Sequence, residues 1–331
     1  MLLLAAASLP AAAAELKAIG VVTPEQGTDF GWNQQGVEGA RKAAAARGLK
    51  IIVAQGMGYG DIRPTLRELA DDGAGLIIAH AGGYATEAAE IAVEAKVHMA
   101  LNNRNFRKPP YISDYTLSGE KAGYMAGVLA AKMTKTGTIG VVVSSESATW
   151  NSQSGGFAQG VKATAPGATL RYAIIGPKAY SDVAGARRVT ESVISSGADI
   201  IFGQGNGSSF GMIQAVETVK PPSGGKVWFI DVIGDKTPID KGYLLSSVVW
   251  DFSPVFIKMI DDIKADRFGT QPYSLSLADD SLKLLKSPHI PAPVWADLMK
   301  VRDDIIAGKI TVEAVFDAQK IRGMMSSTMA N

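Results

Sequence analysis

Residues 28–36 read Thr28-Asp29-Phe30-Gly31-Trp32-Asn33-Gln34-Gln35-Gly36, a carboxylate, two aromatic rings and several amides within one short stretch. The apolar run Ile19-Gly20-Val21-Val22 precedes it, and a helical pattern begins near Gln34. In an open α/β sheet, loops at the carboxyl ends of strands are where ligands sit. Aromatic faces stack on flat rings, worth roughly 1–3 kcal/mol per base, while carboxylates and amides select partners by hydrogen bonding. Asp29, Phe30, Trp32 and Asn33 therefore read as one wall of a small-molecule site. The same pairing of a ring with a polar neighbour recurs at other expected strand ends, as His80 with Tyr84, Trp150 with Asn151, and Asn206 with Phe210. Asn102, Asp231 and the pair Trp250-Asp251 also follow apolar runs. Together these residues describe a two-walled site for a flat, hydrogen-bonding ring.

Other chemistry finds less support. None of His80, His98 and His289 has the i, i+4 partner or carboxylate spacing of a metal site. His80 leads out of a strand into Ala81-Gly82-Gly83-Tyr84 and should face the same crevice as Asp29. Gly203-Gln204-Gly205-Asn206-Gly207 resembles a dinucleotide loop, but Ser208 stands where the last glycine is needed. No phosphate-binding Gly-x-x-x-x-Gly-Lys-Ser/Thr occurs, so no nucleotide cofactor is expected. One Gly-x-Ser-x-Gly match, Gly207-Ser208-Ser209-Phe210-Gly211, has His289 downstream, yet the glycine loop separates Ser209 from its strand. The enzymatic alternative is a nucleoside hydrolase using Asp29 with a second carboxylate. No catalytic arrangement stands out, and the chain reads as a binding protein.

Elements must position these residues. Apolar runs at 18–22, 50–54, 75–79 and 97–101 alternate with helical windows at 34–47, 64–71 and 86–95, the pattern of βαβ units. A second round has strands near 138–143, 169–175, 199–202 and 226–230, with helices at 119–135, 155–165, 183–196 and 209–219. Residues 111–117 read as an extended crossover. A further strand at 243–250, a helix at 253–265, a mixed stretch at 274–286 and a helix at 292–307 complete the chain. This predicts an α/β protein of two lobes, residues 15–114 with about 250–280 and residues 115–249 with about 281–331. Several crossovers would make a multi-strand hinge, which favours rigid-body closure.

The 331 residues suffice for two such lobes. Lys+Arg 33 against Asp+Glu 32, with no long single-sign run, argues against a nucleic-acid partner. The chain has no cysteine, which excludes disulfides and thiolate chemistry. The apolar residues 2–14, with Pro10 inside and small residues at the end, read as a signal peptide cleaved after Ala14.

In several places the sequence resembles the BMP (basic membrane protein) family of ABC transporter substrate-binding proteins, including its purine-nucleoside-binding type. Asp29-Phe30-Gly31-Trp32-Asn33 is similar to the family's Asp-x-x-aromatic-Asn. Glu68-Leu69-Ala70-Asp71-Asp72-Gly73-Ala74, Tyr115-Thr116-Leu117 with Gly127, and Lys135-Thr136-Gly137-Thr138-Ile139-Gly140 carry the likeness onward. It ends with Ile305-Ile306-Ala307-Gly308-Lys309-Ile310. The resemblance implies a type I periplasmic-binding-protein fold, with ligand between two parallel-sheet lobes joined by three crossovers. It puts Asp29, Trp32 and Asn33 on first-lobe ligand positions and Phe210 on the second-lobe wall. Two positions depart from the family. Ile233 stands where its ribose-binding aspartate would be, and Trp250 replaces its lysine. A purine nucleobase or similar heterocycle is therefore expected rather than a nucleoside. The implied partner is a membrane ABC permease, and the protein is expected to be a periplasmic monomer without a lipid-anchor cysteine. A nucleoside-binding protein or a ligand-sensing partner of a receptor would use the same site.

Overall fold

A computed structural model describes residues 16–177 and 179–326. The expected signal segment, 1–14, lies outside the described residues. Two six-stranded sheets organise the chain. The first runs in the order β11-β5-β4-β3-β1-β2. Its strands are β1 Ala18–Val22, β2 Lys50–Ala54, β3 Ala74–Ala79, β4 His98–Asn102, β5 Ile112–Leu117 and β11 Tyr273–Leu275, all parallel. The second runs β12-β10-β9-β8-β6-β7, from β6 Thr138–Val143, β7 Thr169–Ile174, β8 Ile200–Gln204, β9 Trp228–Ile233, β10 Leu244–Trp250 and β12 Leu282–Leu284. Among the described residues only β12 is antiparallel in that sheet, paired at its edge against β10.

The pattern of each element follows its place. β1 is buried along its whole length between β3 and β2, so it is uniformly apolar, whereas edge strand β2 is half-exposed. Helix α1, Trp32–Ala46, puts Gly36, Val37, Ala40, Ala43 and Ala44 on its buried face, at helical spacing. Helices α2 (Arg63–Asp71) and α3 (Ala85–Glu94) cover the first sheet, and α8 (Ser253–Lys264) packs on α1. In the second lobe, α4 (Gly119–Met133) and α5 (Ala148–Thr164) lie in close contact. A methyl on Gly123 or Gly156 would run into the facing backbone, of Gln153 and Glu120 respectively. Helices α6 (Val183–Ser195), α7 (Ser209–Thr218), α9 (Ala292–Ile306) and α10 (Ala318–Ser326) complete it.

Among the described residues the chain passes between the sheets three times, after β5, after β10 and after β11. Residues 112–117, expected as a crossover, pair as a strand between β4 and β11 and cross only after Leu117. The first lobe therefore extends beyond residue 114. Helix α5 begins at Ala148 rather than near 155, since Ser147 caps it by accepting from the Trp150 amide at 3.3 Å. Trp150 and Asn151 thus sit on a helix and not on a strand-end loop. Among the described residues, no helix is long and apolar enough to cross a membrane.

Candidate ligand-binding site

The loop from β1 to α1 is built on Asp29. Its Oδ1 accepts from the amides of Gly31 (2.9 Å) and Gln34 (3.1 Å), and its Oδ2 from the amide (3.2 Å) and side chain (2.8 Å) of Asn33. A carboxylate at a helix amino terminus satisfies orphan N–H groups and opposes the helix dipole. All the acceptor sites a carboxylate offers are used, so Asp29 shapes the loop rather than presenting a free charge. Asn33 is tied in turn to Glu25, whose amide donates to its Oδ1 at 3.3 Å.

Trp32 projects from this loop onto His80, with ring centroids 4.0 Å apart and planes 14° from parallel. Its indole N–H donates to the His80 carbonyl at 2.8 Å. His80 is fully buried, with Tyr115 stacked beyond it at 6.0 Å and Phe252 edge-on at 4.9 Å. Gly36 leaves room for the imidazole, which a Cβ there would strike. The Nε2 of His80 lies 2.9 Å from the Trp32 carbonyl, which can only accept, so Nε2 carries the proton. Nδ1 then accepts from the Tyr115 hydroxyl at 2.6 Å. Burial pushes the imidazole pKa down to about 3 against weaker opposing pulls from the Trp32 carbonyl and then Asp29, and the ring is neutral. Both its nitrogens are spent on protein. His80 therefore holds Trp32 from behind instead of offering a polar edge to the crevice.

The facing wall comes from the carboxyl ends of the second sheet. Asn206 Oδ1 accepts from the Trp32 amide at 2.6 Å, and Phe210 meets Phe30 edge-on at 6.4 Å. Asp231 is wholly buried, accepting from Ser209 Oγ at 2.9 Å and pairing with Lys236 Nζ at 2.5 Å. Burial raises its pKa, with Lys236 pulling the other way. Trp250 touches Trp150 at 5.6 Å and Trp32 at 6.2 Å, so a run of indoles crosses from one lobe to the other. Trp150 N–H donates to Ser144 Oγ at 3.0 Å, whereas the buried N–H of Trp250 has no hydrogen-bond partner.

Asp29, Phe30, Trp32, Asn33, His80, Trp150, Asn206, Phe210, Asp231 and Trp250 thus gather where the two sheets face each other. Four other expected site residues point elsewhere. The Tyr84 hydroxyl donates to the Gly58 carbonyl at 2.5 Å, within a separate apolar cluster of the first lobe. Asp251 accepts from the Ser253 amide at 3.0 Å and caps α8. Asn151 donates to the Phe316 carbonyl at 2.8 Å, and Asn102 to that of Tyr115 at 3.4 Å. Lys236 escaped the sequence reading. A lysine is seldom buried, and its spacing five residues after Asp231 carries no periodic signal. Ser209 donates to Asp231, while His289 packs on Trp228 at 4.8 Å, so the serine motif has no base beside it.

Residues 16–315 match the Bmp family, described as ABC transporter substrate-binding protein PnrA-like. The chain belongs to this family. Its members are non-enzymatic binding components that take up a small molecule and deliver it to an ABC permease. A transcriptional activator protein, med, of Bacillus subtilis is 22% identical over 77% of this chain and 76% of its own length. The ABC transporter nucleoside-binding protein BmpA of Lactococcus lactis is 25% identical over 61% of this chain and 60% of its own. Among solved structures, a solute-binding protein of an ABC transporter system from Conexibacter woesei aligns with TM-score 0.76 at 20% identity, covering 91% of this chain and 100% of that one. One from Aeropyrum pernix gives 0.78 at 16%, covering 94% and 97%. These likenesses place the fold among the two-lobed periplasmic binding proteins, with mostly parallel sheets.

Proposed function

We propose that this protein is the periplasmic binding component of an importer for a flat, uncharged heterocycle, a purine nucleobase in the first instance. The observation that carries the reading is how the polar groups at the lobe junction are committed. Asp29 accepts four hydrogen bonds from the amino end of α1, Asp231 accepts from Ser209 and is ion-paired with Lys236, and Asp251 accepts from Ser253 at the start of α8. Asp29 is fully engaged by its own loop and Asp231 is neutralised by Lys236, and Ile233 occupies the place where the family resemblance calls for a ribose-binding carboxylate. The junction instead presents Phe30, Trp32, Phe210 and Trp250. A neutral ring stacks on these faces and needs no counter-charge.

Three of the five tryptophans lie at the junction, so titration can be followed by intrinsic fluorescence. Adenine, guanine and hypoxanthine should each bind more tightly than their ribonucleosides. Trp32→Ala should weaken nucleobase binding about 5- to 150-fold, the equivalent of ~1–3 kcal/mol of stacking. Nucleoside binding with no response to the free bases would refute the base reading and leave the family's nucleoside class. Export is checked separately, by fractionating cells that express the full chain.

A further inference from the structure

The two lobes touch through groups that belong entirely to the protein. Phe30 has φ +47° and Ile233 has φ +73°, both left-handed conformations that non-glycine residues avoid, a β-branched one most of all. Such residues persist where surrounding contacts over-determine them, and they cluster at clamps and switches. Here each is anchored within its own lobe. The Phe30 amide donates to Gln34 Oε1 at 2.9 Å, which helps turn its carbonyl outward. Beyond Ile233, the Gly234 amide donates to the Val232 carbonyl at 3.0 Å, and the Gly234 carbonyl accepts from Ser247 Oγ at 2.7 Å. The two prearranged turns meet across the junction. A Cβ on Gly234 would strike the Phe30 carbonyl, and its nearest neighbours are Phe30 and Gln35, both of the first lobe. Reciprocally, a Cβ on Gly31 would strike Asn206 of the second lobe.

Lys236 joins the turns. Its ammonium is paired with Asp231 at 2.5 Å and donates to the Val232 carbonyl at 3.4 Å, both in its own lobe. Its remaining bond, 3.0 Å to the Phe30 carbonyl, crosses to the other lobe and completes its burial to 1% exposure. Trp32 to Asn206 and Ser181 to Glu25 (2.9 Å) add two more bonds along the same seam. We propose that Lys236 and the Phe30–Gly234 contact form a latch that closes the lobes without any ligand. Ligand capture would then act on a closed–open equilibrium the protein sets for itself, and the latch would reduce the fraction of molecules competent to bind. The proposal holds whichever ligand occupies the site.

The chain has no cysteine, so Thr86→Cys and Ala184→Cys can carry a single pair of spin labels. Both positions are exposed, on α3 of the first lobe and α6 of the second. The probe is the full chain, unfolded and refolded to strip small molecules, with distances read by pulsed electron resonance. The labelled protein should show a dominant short distance without ligand. Gly234→Ala should remove it, because its methyl obstructs only the facing lobe, and circular dichroism should report an unchanged fold. Lys236→Gln, read on protein that circular dichroism shows to be folded, should lower the short population at least 5-fold. A ligand-free protein already at the long distance of Gly234→Ala would overturn the proposal. So would a short distance that survives Gly234→Ala, and one that survives Lys236→Gln would remove the lysine from the latch.

Discussion

His80 makes a pH experiment informative. Its imidazole lies fully buried between Trp32 and Tyr115, with a pKa lowered from 6.5 to about 3. In the unfolded chain it would titrate near its ordinary value of about 6.5. Below that pH the unfolded state binds a proton that the folded state refuses, so stability falls as pH falls. At 1.36 kcal/mol per unit, the loss from this residue is about 2 kcal/mol at pH 5 and about 4 kcal/mol at pH 3, levelling off at about 5 kcal/mol below the folded-state pKa. Above pH 7 it vanishes. The window between pH 7 and 5 is suitable because carboxylates in the unfolded chain titrate mainly lower, near 4. His98, also lowered by burial, contributes with the same sign, but it is common to wild type and variant and cancels. The perturbation is His80→Gln, which keeps an amide N–H for the Trp32 carbonyl and cannot titrate. Urea unfolding at pH 7.5 and 5 should show the wild type losing about 2 kcal/mol more than the variant across that interval. Equal losses would mean that His80 is not held neutral in the core, and the account of Trp32's support would fail.

Two further outcomes concern the second lobe. Lys236→Met leaves the Asp231 charge buried without its partner and should destabilise the protein by about 3–5 kcal/mol in urea unfolding. The double variant Asp231→Asn, Lys236→Met should recover much of that loss, and no recovery would contradict the pairing. Gly156→Ala forces a methyl against the Glu120 backbone where α5 meets α4. It should cost about 1–3 kcal/mol by overpacking, read as a lower thermal midpoint; an unchanged midpoint would show that the helices can separate without loss.

Much of the fold was legible because parallel strands buried on both faces leave short apolar runs, and the helices between them leave a three-to-four residue period. β1 and β2 begin and end where those runs do. The start of α5 was not legible, since its first turn carries Trp150 and Asn151 and its signal is a single capping serine. Residues 112–117 looked like a connection because an edge-adjacent strand of mixed polarity has no alternation to mark it. Composition and loop chemistry also pointed to the 28–36 stretch as one wall of a site, and the family markers along the chain agreed with it.

What sequence could not decide was which of the polar groups near that wall are free. A carboxylate reads the same whether it meets ligand, helix amides or a lysine; Asp29 and Asp251 cap helices, and Asp231 pairs with Lys236, only because the folded backbone brings those donors within 3.2 Å. His80 likewise became a support for Trp32 through burial between two rings distant in sequence, Trp32 at the start of α1 and Tyr115 on β5. The order of elements, the two-sheet architecture and the aromatic character of the junction belong to the sequence, because local periodicity and residue type determine them. The commitment of each charge, and the contact of Phe30 with Gly234 across the lobes, belong to the tertiary structure, because hydrogen bonds are decided by distance and not by order along the chain.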